Sequence, residues 1–210
     1  LLALAASGLP ADHVRILGSD AFLQALMTST AIALASAVLA VSAAIAIAAA
    51  INAMQADGLG FRWIEHASLA TLGIPPLLLG VGWFMLLAGL GSPFALAPVL
   101  IVLANAIMAL PFALQLLRPA VARHFNQTDR LAAAVRISGW HRLAMIDLPV
   151  LAPALLSALF FAGALSFGDL GVVTLYGSDH LTTLPALIYR SMGSYRTSDA
   201  AGLVFYLVLI

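Results

Sequence analysis

Long apolar runs separated by short polar stretches organise this sequence. They lie at about 22–51, 67–90, 94–117, 149–170 and 200–210, and a shorter apolar stretch occupies 1–9. A helix needs about 20 mostly apolar residues to cross the hydrocarbon core of a bilayer. The runs lack the alternation of a barrel strand, and a spanning segment must satisfy its own backbone hydrogen bonds. The pattern therefore predicts an all-α membrane protein, a polytopic bundle of about five to six transmembrane helices.

The ends of the chain fall within apolar sequence. Residues 1–9 are expected to be the tail of an earlier span, ended by Gly8 and Pro10, and Ile210 lies inside the fifth run. We therefore expect a piece of a longer protein, forming a single transmembrane domain over 1–210 with its core at 22–210. The second run is interrupted by Pro75-Pro76, and Ala11 to Asp20 is expected to be a polar connection.

Composition agrees with a membrane location. Hydrophobic residues make up 63% of the chain and charged residues 9%, whereas a soluble domain carries roughly a quarter charged residues. There is no Cys, which excludes disulfides, thiolate metal ligands and cysteine nucleophiles. Nine arginines balance nine acidic residues without any lysine, and no basic patch indicates a nucleic-acid partner.

The arginines indicate which loops face the cytoplasm. Five alternating spans place six arginines on one side and three on the other. The larger group is Arg62, Arg118, Arg123, Arg130, Arg136 and Arg142, and the smaller is Arg15, Arg190 and Arg196. Because cytoplasmic loops carry an excess of Lys and Arg, the loop from 118 to 147 is predicted to be cytoplasmic.

This loop is also the longest hydrophilic stretch. Residues 126–129 (Asn-Gln-Thr-Asp) are helix-capping types and predict the start of a short helix at 130–137. Ser138-Gly139 would end it, and a second short helix is predicted at 140–147. We expect these two helices to form a cytoplasmic knob that fits a groove on another protein. An alternative stays open, in which the arginines only set topology and the knob only caps the bundle.

The segment from Trp140 to Pro149 (WHRLAMIDLP) resembles the second half of the cytoplasmic coupling motif of ABC importer permeases. That family pattern is Glu-Ala-Ala, three residues, Gly, nine residues, then Ile-x-Leu-Pro. Here Ile146, Leu148 and Pro149 match. The first half departs, because Arg130, Leu131 and Ala132 stand at the Glu-Ala-Ala positions and Arg136 at the glycine, and the turn glycine is displaced to Gly139.

The sequence resembles most closely the branch of that family that transports thiamine, in the C-terminal half of its permeases. The similar segments are 138–142 (SGWHR), 166–173 (SFGDLGVV), 183–185 (TLP) and 193–199 (GSYRTSD). Thiamine-type permeases also depart from the Glu-Ala-Ala pattern in this half. The resemblance extends from about Phe22 onward and implies a type I (MetI-like) ABC importer permease fold.

The resemblance implies a division of labour among several proteins. A periplasmic solute-binding protein would deliver the solute to a path formed by this chain and a second permease half in the bacterial inner membrane. Cytoplasmic ABC ATPase subunits would bind the ATP, since the chain has no Gly-x-x-x-x-Gly-Lys-Ser/Thr loop and needs no cofactor of its own. Arg136, Gly139, Trp140, His141 and Arg142 are the expected contacts with an ATPase subunit.

Polar residues within the spans are candidates for the solute path. Asn105 lies in the third run, Ser166 in the fourth, and Asp169 near the outer end of the fourth. Charges at such positions are costly and often functional, and a carboxylate suits a cationic solute such as thiamine. Two structural alternatives stay open: interhelical hydrogen bonding for Asn105 and Ser166, and a solvated turn for Asp169.

Apolar residues recur at helical spacing from Leu184 to Tyr195, which predicts an amphipathic helix on the outer surface. Its apolar side is expected to pack on the bundle. Its polar positions, together with the residues that follow, are candidates for contact with the solute-binding protein: Tyr189, Arg190, Tyr195 and Arg196.

Other functions remain as alternatives. An iron(III) importer permease has the same two-half organisation. A proton-coupled secondary transporter would need ionisable residues deep in several spans, and only Asp169 comes near. An intramembrane enzyme is disfavoured because the sequence has no His-Glu-x-x-His motif and no Gly-x-Ser-x-Gly elbow. The scattered histidines form no metal-ligand set.

Overall fold

The computed structural model describes residues 13–56, 76–87, 93–135, 139–176, 181–194 and 197–209. The regular elements of these residues are helices, and the predicted remnant at 1–9 lies outside them. The chain divides into two compact units. The first unit comprises residues 1–34, 76–104 and 167–210, and the second comprises 35–75 and 105–166.

Two helices begin the described chain. α1 (His13–Leu17) is short, and it lies where a polar connection was expected. Ser19 then starts α2 (Asp20–Ala56), because its Oγ and its carbonyl both accept from the backbone N–H of Phe22. A serine at this position satisfies one of the amide groups that a helix N-terminus leaves without partners.

α2 confirms the first predicted span and extends it at both ends. It has 37 residues without Gly or Pro, many of them Ala. At about 1.5 Å per residue it is roughly 55 Å long, well beyond the hydrocarbon thickness of about 30 Å. Its residues up to Leu34 belong to the first unit, and its residues from Ala35 belong to the second.

The second predicted span is described only in part. α3 (Pro76–Leu87) has 12 residues and starts at a proline, which is favourable in a first helical turn. The remainder of the predicted span, 67–75 and 88–90, lies outside the described residues. Crossing of the membrane at this position stays a prediction.

A 3₁₀ turn (Pro93–Leu96) leads into α4 (Ala97–Val135), and the two together contain the third predicted span, 94–117. α4 has 39 residues and continues through Pro111 and Pro119. The prediction that a new helix is capped at residues 126–129 is wrong, because α4 passes through them without a break. Thr128 Oγ1 donates to the carbonyl of His124, four residues earlier, so its hydroxyl is satisfied inside the helix.

The second short helix of the predicted knob exists, but it is continuous with the fourth span. α5 (Gly139–Arg142) leads into a π-helical turn (Leu143–Asp147), and α6 (Leu148–Phe167) follows at once. Pro149 has no backbone N–H to donate, and its ring crowds the preceding turn of an α-helix. The wider π turn directly before it is consistent with both restrictions.

Three further helices complete the described chain. α7 (Gly171–Tyr176) was not predicted. α8 (Leu184–Gly193) confirms the predicted amphipathic helix, with Leu184, Pro185 and Ile188 buried. α9 (Thr197–Leu209) covers the start of the fifth predicted span in 13 residues.

The described helices agree with a multi-pass membrane protein. Three of them are long and apolar enough to cross a bilayer, over Asp20–Met54, Phe94–Phe125 and Met145–Phe167. α3 and α9 are apolar but shorter. Many large apolar side chains on the long helices are exposed, including Phe160 at 78%, as expected of surfaces that face lipid.

The first unit has two apolar clusters. One joins α1, the start of α2, α8 and α9 through residues such as Phe22, Leu184 and Leu203. The other joins α2, α4 and α7 around Ile101 and Tyr176. The second unit packs α2 against α4 and α6, largely through alanines. Small side chains allow close helix approach, which is how helices associate in lipid.

Candidate functional site

The candidate ATPase-docking segment lies at the junction of α5, the π turn and α6. Arg136 is outside the described residues, and the backbone of Gly139 and Trp140 forms the start of α5. His141 is exposed. Arg142 is only 20% exposed at its side chain and is turned toward its own chain.

Asp147 is the centre of a buried polar cluster at this junction. Nε2 of His124 lies 2.6 Å from Oδ1 of Asp147, and the two side chains are 2% and 8% exposed. Nε of Arg142 donates to the same oxygen at 3.4 Å. The Arg142 guanidinium also lies over the ring of Phe125, 5.1 Å from its centroid, in a cation–π contact.

This cluster was missed in the sequence. His124 belongs to α4 and Asp147 to the π turn, 23 residues later. An aspartate directly before an apolar span signals a buried charge that needs a partner, but it does not identify that partner. Within the described residues, Nδ1 of His124 is buried without a hydrogen-bond partner, and no group of three His, Asp or Glu could hold a metal ion.

Two of the candidate path residues meet. Nδ2 of Asn105 in α4 donates to Oγ of Ser166 in α6 at 2.9 Å, and both side chains are buried in the second unit. Oδ1 of Asn105 has no hydrogen-bond partner among the described residues. The pair thus carries one buried acceptor that is open to a donor.

Asp169, the third candidate, lies in the turn between α6 and α7. Its Oδ1 accepts from the backbone N–H of Gly171 at 3.0 Å. This two-residue loop-back is an Asx turn, which positions a chain for the start of a helix. The turn that was left open as an alternative in the sequence is therefore formed through Oδ1. The Asp169 side chain is half-buried.

Two of the four candidates for contact with the solute-binding protein lie on α8. Tyr189 is 62% exposed and Arg190 is exposed, whereas Tyr195 and Arg196 lie outside the described residues. Ser29 of α2 anchors this helix, since its Oγ accepts from the backbone N–H of Leu184 at 2.8 Å in a buried position. That contact was not anticipated from the sequence.

A second buried contact positions α7 in the first unit. The hydroxyl of Tyr176 donates to the backbone carbonyl of Gly80 at 2.6 Å. Gly80 allows the approach, because a Cβ there would lie 3.2 Å from Cδ2 of Leu175 and 3.5 Å from Cε2 of Tyr176. The ring of Phe84 also packs near Tyr176, with ring centroids 6.3 Å apart.

Comparison with known proteins gives this geometry a context. The chain is 42% identical over 201 residues, or 96% of its length, to the thiamine transport system permease protein of Brucella abortus. The chain is similar to thiamine transport permeases. Its identity to the Escherichia coli thiamine transport system permease protein is 34% over 213 residues, covering the whole chain. No family model matches the chain.

The similarity to thiamine transport permeases covers part of those proteins. The chain spans 37% of the Brucella permease and 40% of the Escherichia coli one. A more distant relative is the putative 2-aminoethylphosphonate transport system permease protein of Salmonella typhimurium. It is 27% identical over 151 residues, which are 71% of this chain and 56% of that protein. All three relatives are named as permeases of transport systems.

Proposed function

We propose that this chain is part of the permease subunit of an ATP-driven ABC importer for thiamine or its phosphates in the bacterial inner membrane. The observation that carries the proposal is the 42% identity over 96% of the chain to a thiamine transport system permease protein. The long apolar helices support a role within the membrane. Its partners would be ABC ATPase subunits, a second permease half and a periplasmic solute-binding protein.

The docking surface for an ATPase subunit is proposed at the start of α5. Gly139 and Trp140 open this helix, and the exposed side chain of His141 follows them. Arg136 is retained as a candidate contact from the sequence. Because Arg142 contacts Asp147 and Phe125 of its own chain, we assign it to holding the segment in place.

The solute path is proposed to pass Asn105 and Ser166. The open Oδ1 acceptor of Asn105 suits a solute that carries hydrogen-bond donors, as the aminopyrimidine of thiamine does. Asp169 is retained as a separate candidate from the sequence, because its half-buried carboxylate is matched in sign to a cationic thiazolium. Tyr189 and Arg190, with Tyr195 and Arg196, are proposed to contact the solute-binding protein.

Transport in a defined system tests the proposal. The full-length permease that contains this chain is reconstituted in vesicles with its ATPase, and the solute-binding protein and labelled thiamine are added outside. We expect uptake that requires ATP inside the vesicles and is lost with a non-hydrolysable analogue. Unlabelled thiamine and thiamine phosphates should compete, and ferric ion should not.

Three results would contradict the proposal. Uptake driven by a proton gradient without ATP would favour the secondary transporter. Competition by ferric ion but not by thiamine would favour the iron(III) importer. Absence of any thiamine uptake, in a complex that is assembled and hydrolyses ATP, would reject thiamine as the solute.

A further inference from the structure

A buried brace of side chains ties the proposed docking segment to two long helices. Asp147, the last residue of the π turn, accepts from His124 of α4 at 2.6 Å and from Arg142 of α5 at 3.4 Å. These three residues form the brace. We propose that this brace transmits the movement of Gly139–Asp147, driven by the ATPase, to α4 and α6. The inference rests on the proposed function and adds residues that act within it.

The burial of the brace argues that its geometry is specific. The His124 and Asp147 side chains are 2% and 8% exposed. Burying a carboxylate is unfavourable unless it is paired and hydrogen-bonded, and apolar replacements of buried ion pairs are often equally stable. A junction that needed only stability could be apolar. A buried polar pair instead restricts the helices to one register, because any shift leaves a charge without its partner.

The π turn sets this register. A π-helical turn closes between residues five apart, and Arg142, directly before the turn, lies five residues from Asp147, the last residue of the turn. The widened turn therefore brings the guanidinium and the carboxylate onto neighbouring positions. Asp147 is also the residue before α6 begins at Leu148, so its position and that of the first turn of α6 change together.

Two consecutive residues of α4 contact the docking segment. His124 contacts Asp147. The ring of Phe125 lies beneath the guanidinium of Arg142, with its centroid 5.1 Å from Cζ of that arginine. The segment is thus held to α4 at Arg142 and at Asp147. A displacement of α5 cannot occur without moving α4 or breaking these contacts, and this linkage is what conversion of ATP binding into helix movement requires.

The test separates transport from hydrolysis in the reconstituted full complex. Asp147→Asn keeps the shape of the side chain and removes its charge. We expect thiamine uptake to fall about tenfold, within the range of mutations that change coupling, while ATP hydrolysis stays within about twofold of wild type. If Asp147 served stability alone, the substitution would instead lower the amount of assembled complex, and uptake and hydrolysis would fall together.

A conservative series at His124 supplies the second measurement. His124→Gln keeps an N–H donor near the position of Nε2, and His124→Ala removes it. We expect His124→Gln to keep most of the uptake per ATP hydrolysed and His124→Ala to lose it. If the Asp147→Asn complex does not assemble, the comparison of His124→Gln with His124→Ala tests the proposal by itself. Asp20→Asn is the matched control, because Asp20 is an exposed acidic residue at the start of α2.

The outcomes distinguish the brace from the proposed function. If the wild-type complex shows no ATP-dependent thiamine uptake, the proposed function fails. If wild type transports and either Asp147→Asn or His124→Ala retains normal uptake per ATP, the brace is rejected. Equal loss of uptake and hydrolysis in His124→Ala and His124→Gln would also reject it. Selective loss of uptake in His124→Ala, with rescue by Gln, supports it.

Discussion

Nδ2 of Asn105 donates a hydrogen bond of 2.9 Å to Oγ of Ser166, which joins two helices through residues 61 positions apart. Asn105 has no exposed surface and Ser166 has 5%. Apolar alanines of α2, α4 and α6 form a cluster in the same unit. A polar link in such surroundings fixes the register of α4 against α6, and Oδ1 of Asn105 has no hydrogen-bond partner among the described residues.

A double-mutant cycle measures this link. Asn105→Ala, Ser166→Ala and the double variant are compared by unfolding the purified full-length permease in mixed micelles with increasing sodium dodecyl sulfate. We expect a coupling energy of about 0.6 kcal/mol and no more than about 1.7 kcal/mol, which is the range found for hydrogen bonds between membrane helices. Ser157→Ala is the control, because its Oγ is exposed and bonds only to the carbonyl of Pro153.

The same variants distinguish the structural and transport roles of Asn105. If the pair only holds helices together, Asn105→Ala and Ser166→Ala should lower stability and uptake in proportion. If Oδ1 of Asn105 meets the solute, Asn105→Ala should raise the thiamine concentration needed for half-maximal uptake more than Ser166→Ala does. A coupling energy of zero would show that the hydrogen bond does not form in the membrane.

Tyr176→Phe removes a single buried hydroxyl. That group donates to the carbonyl of Gly80 at 2.6 Å, and its loss leaves the carbonyl without this donor. We expect a loss of stability of about 1 kcal/mol, typical of one intramolecular hydrogen bond. Detergent unfolding measures it. Tyr189→Phe makes the same chemical change at a side chain that is 62% exposed and should leave the unfolding midpoint unchanged.

Two glycines of α3 make a matched pair. A Cβ at Gly80 would lie 3.2 Å from Cδ2 of Leu175, whereas a Cβ at Gly82 would have no neighbour within 4 Å. Alanine is the better helix former, so Gly82→Ala should be neutral or slightly stabilising. Gly80→Ala should be less stable than Gly82→Ala by about 1–3 kcal/mol, as for overpacked sites. Equal stability in detergent unfolding would show that Leu175 shifts freely.

The positions of the long helices could be predicted because the membrane leaves an apolar run few alternatives. The runs at 22–51 and 149–170 correspond to α2 and α6, with differences of a few residues at their ends. The amphipathic helix α8 was also predicted from its spacing. In each case the sequence pattern and the helix position follow from the same requirement, that apolar side chains are kept away from water.

The cap predicted at residues 126–129 failed because local preference was weaker than helix continuation. An N-cap contributes about 1 kcal/mol, and residues 120–138 contain no Gly or Pro to end a helix. Thr128 instead bonds to the carbonyl of His124. The contact between His124 and Asp147 could not be predicted, since it depends on a π turn that shifts the register of every residue after it.

Trp140→Ala tests the docking surface itself. If α5 enters a groove on an ATPase subunit, an aromatic at its second residue is the kind of side chain that dominates such contacts. We expect the permease to insert and assemble, with hydrolysis continuing and thiamine uptake reduced. Gln127→Ala, at an exposed position of α4, is the control. Uptake at the wild-type rate in Trp140→Ala would place the docking surface elsewhere.

Ser29→Ala tests how the start of α8 is held against α2. Oγ of Ser29 accepts from the N–H of Leu184 at 2.8 Å, and the helix has no side-chain cap of its own from Thr183. An alanine leaves a buried N–H without its acceptor, which costs about 1–3 kcal/mol. Hydrogen exchange should therefore become faster at the first turn of α8. Thr30→Ala, at the next exposed hydroxyl, should not change it, because Thr30 bonds only to the carbonyl of Leu26.

The consequence for function follows from what α8 presents. Tyr189 and Arg190 are exposed on it, and their proposed contact with the solute-binding protein requires that the helix start at a fixed point. Loosening its first turn should weaken binding of that protein to the reconstituted permease, measured by the concentration that gives half-maximal uptake, while the maximal rate changes less. If exchange at α8 rises but this concentration is unchanged, the binding protein contacts another surface.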